Sequence, residues 1–382
     1  MRPGISRLTV LLFAGVSVVL SACGHVGSST GDKAGAAAAP PRTLAHIGVV
    51  GTNVAWAEID SRLLRTLDGG SHWLEAAGPA AAGERVDSTE FLSDRQAVVA
   101  LTRPGFPVAI AGTVDGGVSW TRASVPLSDG GSSGRTSLTF LSTAVGWLSI
   151  EHQHNSGVIG SSEIFKTTDG ARSWKTIGSQ ALPSSPVGPI RFTSELDGWG
   201  LSAARNRLYR TADGGRTWSE VSVSVPGGLA TPTASLTPTI SLPSFFGRKG
   251  VLPVFYDSSS TRTAVFYTTT DGQSWVPARP LSDSEFAEYG QGIALPTSVT
   301  SPTAWAVASG PAVYVSVDGG QTWRHASAPD AIGARDLAMP SPNQIWIAYT
   351  NIRCVSKGVG CVTATGVVRS DNGGTTWSHI EP

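Results

Sequence analysis

The segment Thr211-Ala-Asp-Gly-Gly-Arg-Thr-Trp218 decides the fold, because variants of it recur seven times along the chain. The copies share the pattern Ser/Thr-x-Asp-x-Gly-x-Ser/Thr-Trp, from which some depart at one position, and successive copies lie roughly fifty residues apart, the length of a propeller blade. The copies span residues 66–73, 113–120, 167–174, 211–218, 268–275, 316–323 and 370–377.

The residue types of this box are those of a tight β-turn. An Asp carboxylate can accept hydrogen bonds from the N–H groups of the turn that follows it. Glycine allows backbone conformations with positive φ, and the final Trp supplies a large apolar surface. Catalytic acids would have to converge on one bond, whereas these are spread over seven repeats. We therefore predict structural roles for Asp68, Asp115, Asp169, Asp213, Asp271, Asp318 and, in the last copy, Asn372.

Some copies depart from the pattern. The fifth reads Thr268-Thr-Thr-Asp-Gly-Gln-Ser-Trp275, which puts Thr270 at the Asp position and Asp271 one residue late. The first copy has His72 instead of Ser/Thr, and the third has Ala171 instead of glycine. We expect the fifth hairpin to be the least regular.

A second signal precedes each box by about twenty residues. It is a short apolar strand, which in five repeats contains a tryptophan: Trp56, Trp147, Trp199, Trp305 and Trp346. Together with an inner strand, a third strand and the strand after the box, each repeat makes four antiparallel strands. The sequence predicts an all-β fold, a seven-bladed β-propeller over residues 43–382. How the ring is closed stays open.

These repeats resemble the Asp-box, or BNR, repeat of sialidases, sortilin-type receptors, xyloglucan-cleaving hydrolases and the propeller factors of photosystem II assembly. The pairing of a Gly-Trp strand with a Thr-x-Asp-Gly-Gly-x-Thr-Trp hairpin is most similar to the last group. The resemblance covers essentially the whole chain from Thr43 to Pro382. It implies the fold, and it implies that ligands bind around the central channel on the face opposite the boxes. It does not specify the function, since the box is scaffold in all these families.

The N-terminus has the features of an export signal. Arg2 and Arg7 precede an apolar run that ends in Leu20-Ser-Ala-Cys23. This tetrapeptide resembles the bacterial lipoprotein cleavage box, which predicts a signal peptide over residues 1–22 and lipidation of Cys23. Residues 23–42 are rich in Gly, Ser, Ala and Pro and are predicted to form a flexible tether. The predicted location is the extracytoplasmic face of a cell membrane.

The composition limits the possible partners. Lys plus Arg and Asp plus Glu are equal at 28 each, so there is no large field that would attract nucleic acid. No cofactor motif is present, and we expect a monomer without a bound metal. In the mature chain Cys354 and Cys361 flank a Gly-containing loop, which predicts a hairpin disulfide in an exported protein.

Propeller topology places the boxes on one face, here called the box face. The loops between strands two and three and between blades lie on the other, the loop face, where binding residues are expected. The candidates are Glu58, Asp60, Arg103, Glu151, His152, His154, Arg205, Arg207, Tyr256, Asp257, Arg262, Glu288, Asn351 and Arg353.

Three chemistries compete for these candidates. His152 and His154 could hold a metal, although a solvated hairpin explains them as well. Several of the arginines could bind a carboxylate as in sialidases, but no Tyr–Glu nucleophile pair accompanies them. Glu58, Asp60, Asp257 and Glu288 could supply a glycosidase acid and base, which must face each other.

We therefore predict a lipid-anchored, extracytoplasmic propeller that acts as a binding or assembly scaffold for a protein or a glycan. The alternative is a glycoside hydrolase or lyase that acts on cell-surface polysaccharide. A role as an enzyme is the less favoured interpretation, because no catalytic motif converges.

Overall fold

A computed structural model describes residues 44–127, 133–153, 159–181, 188–227, 229, 236, 238–257, 262–283, 294–354 and 361–382. The predicted leader and tether, including Cys23, lie outside this range. The described residues form thirty strands in seven antiparallel sheets and contain no helix. The predicted all-β, seven-bladed β-propeller is confirmed.

Each sheet is one blade, and its strands follow one another in chain order. Blade 1 comprises β1 Leu44–Val49, β2 Ala55–Ile59, β3 Arg62–Thr66 and β4 Leu74–Glu75. Blade 2 comprises β5 Arg85–Phe91, β6 Ala97–Thr102, β7 Ala109–Thr113 and β8 Thr121–Ser124. Blade 3 comprises β9 Ser133–Phe140, β10 Gly146–Gln153, β11 Ile159–Thr167 and β12 Lys175–Ala181. Blade 4 comprises β13 Ile190–Phe192, β14 Gly198–Leu201, β15 Leu208–Thr211 and β16 Ser219–Val221.

Blade 5 has six strands because its first and last strands are each interrupted. It comprises β17 Pro238–Ile240, β18 Ser244–Phe246, β19 Lys249–Asp257, β20 Arg262–Thr269, β21 Val276–Pro277 and β22 Leu281–Asp283. Blade 6 comprises β23 Thr297–Val299, β24 Trp305–Ser309, β25 Ala312–Ser316 and β26 Arg324–Ser327. Blade 7 comprises β27 Ala334–Ser341, β28 Gln344–Cys354, β29 Cys361–Ser370 and β30 Ser378–Ile380.

Aromatic side chains fill the spaces between blades. Between blades 4 and 5, Trp199 of the second strand stacks on Phe245 of the next blade, with ring centroids 5.4 Å apart, and Trp275 of the fifth box contacts both rings. Trp147 and Phe192 stack in the same way between blades 3 and 4, at 4.0 Å. Each interface therefore draws on two neighbouring repeats, which is why a repeat of this kind cannot fold alone.

Trp305 is the exception to this arrangement. It pairs with the box residue Ser316, whereas Trp56 pairs with Arg65, the residue just before its box. A register difference of one residue moves a side chain to the other face of a sheet. Trp305 accordingly stacks on Phe266 of the preceding blade, where blade 5 has no tryptophan of its own on β19. The interface between blades 6 and 7 is then filled by alanines and larger aliphatic side chains, with the box residue Trp377 packed against them.

The Asp-boxes close the turns between the third and fourth strands. Asp213 accepts hydrogen bonds from the Thr217 N–H (2.9 Å), the Thr217 hydroxyl (2.6 Å) and the Thr211 hydroxyl (2.8 Å). These bonds hold the pKa of Asp213 at about 2, although burial opposes them. Asn372 takes the same place in blade 7, since its Oδ1 accepts from Thr376 N and its Nδ2 donates to Thr376 Oγ1.

The alignment predicted for the fifth box is wrong by one residue. Thr269, not Thr268, bonds the carboxylate, so Asp271 does occupy the Asp position. One residue is missing after it, and the hydrogen bond from Ser274 N to Asp271 is long at 3.4 Å. The hairpin is thus less regular than that of Asp213, as expected.

Within the described residues, the ring closes without exchange of a strand between its ends. Blade 1 is built from the first four strands and blade 7 from the last four. The contact between blades 7 and 1, here called the seam, is held by hydrogen bonds between side chains and backbone. Ile47 N donates to Asp336 Oδ2 (3.0 Å), Gln344 Nε2 donates to Thr52 O (2.8 Å), and Arg369 Nη1 donates to Gly69 O (2.7 Å).

Cys354 and Cys361 are cross-strand partners in the β28–β29 register. That backbone position suits a disulfide, which stays a prediction. Among the described residues, no helix is long and apolar enough to cross a membrane.

Candidate functional site

The candidate site lies at the loop-face end of the channel, where the innermost strands of several blades carry an extra residue. β5 has a bulge between Val86 and Ser88, and β27 has one between Ala334 and Asp336. β9 is irregular around Arg135. A bulge re-aims side chains and commonly lies next to functional sites. Here the bulges bring Asp87, Arg135 and Arg335 to the walls of cavities on the channel.

One cavity of about 400 Å³, which we call the mouth cavity, lies among blades 1 to 4. Two carboxylic acids from the second strands of blades 1 and 3 line it, Glu58 and Glu151, which are 7% and 6% exposed. Two arginines from blades 3 and 4, Arg135 and Arg205, line the same cavity. Its remaining walls come from one histidine, one aspartate and short polar or aliphatic side chains, and no Phe, Tyr or Trp is among its described lining residues.

Both glutamates have a pKa close to neutral pH. Burial raises the pKa of Glu58 to about 7, with His46 opposing the shift and Asp87 adding to it. Burial also raises the pKa of Glu151 to about 7, against the opposing charge of Arg135. Glu151 Oε2 is fully buried and has no hydrogen-bond partner within the described part of the chain. An unsatisfied buried oxygen of this kind calls for an explanation, and a ligand that donates to it is one.

The two arginines of the mouth cavity are also available to bind a ligand. Within the described ranges neither Arg135 nor Arg205 makes an ion pair or a side-chain hydrogen bond, although Arg122 and Arg210 elsewhere do. Arg205 adopts a φ of 53°, a left-handed conformation that is uncommon for residues other than glycine. Its carbonyl accepts from Ile240 N of the next blade at 2.7 Å, which holds the strained loop in place. Strain retained by tertiary contacts is typical of functional positions.

A second cavity of about 470 Å³, the axial cavity, shares Arg205 and Pro189 with the first. It adds Arg191, whose guanidinium donates to Pro243 O and Ser244 Oγ at 3.3 Å each, and Arg335 from the bulge of β27. Asp336, next to Arg335, forms an ion pair with His46 across the seam between blades 7 and 1. The pKa of His46 is raised, because its pairing with Asp336 outweighs the opposing effect of burial.

Of the residues singled out from the sequence, Glu58, Glu151 and Arg205 come together at the mouth cavity. Several others are engaged elsewhere. Asp257 pairs with the buried Arg262 (Oδ1 to Nε, 2.9 Å), and the Tyr256 hydroxyl lies 2.6 Å from that of Tyr267 in the core. Asn351 holds the loop before β27, since its Nδ2 donates to Asp330 O and its Oδ1 accepts from Gly333 N.

The remaining candidates lie on the rim or outside the described structure. Arg103 stacks on Phe106 at 4.1 Å, Arg207 lies 3.5 Å from Glu220, and Asp60 forms the β2–β3 turn with a φ of 51°. His152 pairs with Glu163 at 3.0 Å, and no group of three metal-ligating side chains occurs within the described ranges. His154, Glu288 and the side chain of Arg353 lie outside the described residues.

Sequence reasoning missed the inner-strand residues His46, Arg135, Arg191, Arg335 and Asp336. The sequence of an innermost strand can reveal such residues. In β5, the innermost strand of blade 2, polar residues recur in the run Arg-Val-Asp-Ser-Thr-Glu-Phe, although a strand packed between blades would be largely apolar. Polar residues inside a predicted innermost strand indicate a side that faces the water-filled channel.

Comparison with known proteins defines the class. The BNR/Asp-box repeat model matches residues 314–325, which contain the sixth box. No curated protein matches the chain. The chain carries Asp-box repeats and is a seven-bladed β-propeller.

Among solved structures, the chain is similar to YCF48 bound to D1 peptide, with 18% identity, a TM-score of 0.57 and coverage of 87% of this chain and 94% of that one. YCF48 from Cyanidioschyzon merolae is similar at 17% identity, with a TM-score of 0.53 and coverage of 87% and 96%. The GH74 xyloglucanase from Xanthomonas campestris shares 15% identity, with a TM-score of 0.52 and coverage of 85% and 65%. At these identities the likeness concerns the fold.

Proposed function

We propose that this chain is a lipid-anchored, extracytoplasmic scaffold that binds a segment of another protein at the mouth cavity, without chemistry of its own. The observation that carries the proposal is the set of polar groups there that have no partner among the described residues. Arg135 and Arg205 offer two cationic donors, and Glu151 offers a buried acceptor. A peptide carries both carbonyl or carboxylate acceptors and N–H donors, so it can satisfy both kinds of group at once.

Two further considerations support a peptide over a glycan. Ligand sites usually combine a few placed polar groups with apolar and aromatic walls, but no Phe, Tyr or Trp ring is among the described lining residues of the mouth cavity. The similar YCF48 structure contains a bound D1 peptide, which shows that a propeller of this architecture can hold one. Anchoring through Cys23 would keep the propeller at the membrane surface, close to the exported parts of membrane proteins.

The test compares two pairs of arginines on the same face. The full lipidated chain and two double variants, Arg135→Ala with Arg205→Ala and Arg103→Ala with Arg207→Ala, are used to capture partners from native envelope. A bound protein is identified by mass spectrometry, and its exported segments are then titrated as synthetic peptides. We expect the cavity pair to weaken peptide binding at least tenfold and the rim pair to change it less than twofold. Equal losses with both pairs would contradict a site at the mouth cavity.

A second candidate, a glycoside hydrolase, is favoured by one observation. Glu58 and Glu151 line the same cavity with pKa values of about 7, which suits a general acid. Asp257, predicted for this role, is instead paired with Arg262. The hydrolase reading requires release of reducing sugar from at least one cell-surface polysaccharide, and its loss in Glu58→Gln and Glu151→Gln. Activity that survives both substitutions would exclude these residues as the catalytic pair.

A further inference from the structure

The axial cavity differs from the mouth cavity in its balance of charge. The described lining of the mouth cavity contains three basic side chains and three acids: His46, Arg135, Arg205, Glu58, Asp87 and Glu151. The described lining of the axial cavity contains three arginines, Arg191, Arg205 and Arg335, but a single acid, Asp336. A concave site lined mainly by one sign of charge attracts ligands of the opposite sign. The axial cavity therefore favours an anion.

The acid of the axial cavity is already engaged in the seam. Asp336 Oδ2 accepts a hydrogen bond from Ile47 N at 3.0 Å and forms an ion pair with His46. Its Oδ1 accepts a hydrogen bond from Leu337 N at 2.9 Å. A carboxylate held by these donors contributes little to neutralising the adjacent Arg335. The three arginines thus outweigh the acid that shares their cavity.

The two arginines of blade 4 are held in place by one segment of blade 5. The Arg191 guanidinium donates to Pro243 O and Ser244 Oγ at 3.3 Å each. The Arg205 carbonyl accepts from Ile240 N at 2.7 Å. Donors that are positioned before a ligand arrives lose less entropy when it binds. These contacts make the arginines of blade 4 a preorganised pair.

Arg335 reaches the same cavity from blade 7, as the extra residue of the β27 bulge. Arg191 and Arg335 are both exposed residues, so a ligand in the cavity has access to them. Burial nevertheless lowers the pKa of Arg191, against the charge of Glu90 on β5, whose own pKa burial raises to about 7. A bound anion would favour the charged form of Arg191 and offset this effect of burial.

We propose that the axial cavity binds a small anion with two or more charged groups, held by the guanidinium groups of Arg191, Arg205 and Arg335. Guanidinium groups form bidentate, charge-assisted hydrogen bonds with phosphate and carboxylate oxygens alike. The ligand is thus a phosphate ester or a polycarboxylate. A volume of about 470 Å³ suits a small molecule, and three hydroxyl side chains also line it: Ser241, Ser244 and Thr297. This second site goes beyond the proposed peptide site at the mouth cavity.

The test uses pyrophosphate and citrate as probes, with acetate at equal ionic strength as the monovalent control. Binding is measured by isothermal titration calorimetry on the full exported chain and on two double variants. The cavity variant combines Arg191→Gln with Arg335→Gln, and the rim variant combines Arg103→Gln with Arg207→Gln. Arg205 is left unchanged because it also lines the mouth cavity.

We expect the unchanged protein to bind pyrophosphate or citrate at least tenfold more tightly than acetate. The cavity variant should weaken this binding at least tenfold and the rim variant less than twofold. Binding of pyrophosphate alone would identify a phosphate ester as the ligand, and binding of citrate alone a polycarboxylate. If melting curves show that the cavity variant is unfolded, Arg335→Gln alone should weaken binding at least threefold. Equal losses in the cavity and rim variants, or no binding of either probe by the unchanged protein, would overturn the proposal.

Discussion

The box face and the mouth cavity use the same residue types in opposite ways. At the box of blade 4, the carboxylate of Asp213 accepts three short hydrogen bonds within its own turn. At the mouth cavity, a more deeply buried carboxyl, Glu151, has an oxygen without a partner, and two nearby arginines are unpaired within the described structure. Satisfied polar groups stabilise a fold, whereas buried unsatisfied ones cost stability and persist where function retains them. Substitutions should therefore separate the two regions: stability is lost at the first and binding at the second.

The largest expected effect is on the box face. Trp218 is 8% exposed, packs against Phe192 edge-to-face at 6.1 Å and donates its indole N–H to Gly215 O. Trp218→Ala should lower the free energy of unfolding by about 3–5 kcal/mol, because it empties the space between blades 3 and 4. Denaturant titration measures the loss, with Val118→Ala, at a 75% exposed position, as the control. A loss below about 1 kcal/mol would show that the box tryptophans do not hold the blades together.

A substitution at the mouth cavity should raise the free energy of unfolding, and the size of this effect should depend on pH. The pKa of Glu151 is raised to about 7 in the folded chain, so the folded state binds more protons than the unfolded state between about pH 4.5 and 7. Stability is thus highest below that window and falls as pH rises through it. Glu151→Gln removes this loss and should stabilise the protein by about 1–3 kcal/mol at pH 8, with little change at pH 4.

The control for this prediction is Glu220→Gln, at an exposed position beside Arg207. Thermal unfolding of both variants at the two pH values gives the comparison. If Glu151→Gln destabilises the chain at pH 8, then Glu151 is paired in solution, and the contrast between the box face and the mouth cavity fails at its central residue.

The scaffold could be predicted because its information is local and repeated. A box such as that of Asp213 fits into eight residues and occurs seven times, so even the irregular copy around Asp271 did not obscure the number of blades. Trp305 shows the limit of this reasoning. From its place before a box it groups with the other second-strand tryptophans, but it precedes its box by 11 residues, whereas Trp56 and Trp199 precede theirs by 10 and 12. This one-residue difference in register turns it toward the preceding blade.

The mouth cavity could be predicted only in part. Glu58, Glu151 and Arg205 lie close to loops that the topology assigns to the loop face, and all three were found. Arg135 and Arg335 reach the channel through irregularities of their strands, which break the period of two that a sequence pattern can reveal. His46 and Asp336 belong to opposite ends of the chain, and only closure of the ring brings them together.

The smallest expected effect returns to the box face and tests the non-glycine residue that has a positive φ within a box. Ala171 has a φ of 69°, at the place where the fourth box has Gly215 with a φ of 95°. A left-handed conformation costs a non-glycine residue roughly 1–2 kcal/mol, part of which the buried methyl group offsets. Ala171→Gly should therefore stabilise the chain by about 0.5 kcal/mol in denaturant titration. The reciprocal Gly215→Ala should destabilise it, since its Cβ would also lie 3.2 Å from Phe192 Cζ. A loss of stability in Ala171→Gly would mean that burial of the methyl group outweighs strain, and that the third box is adapted to its alanine.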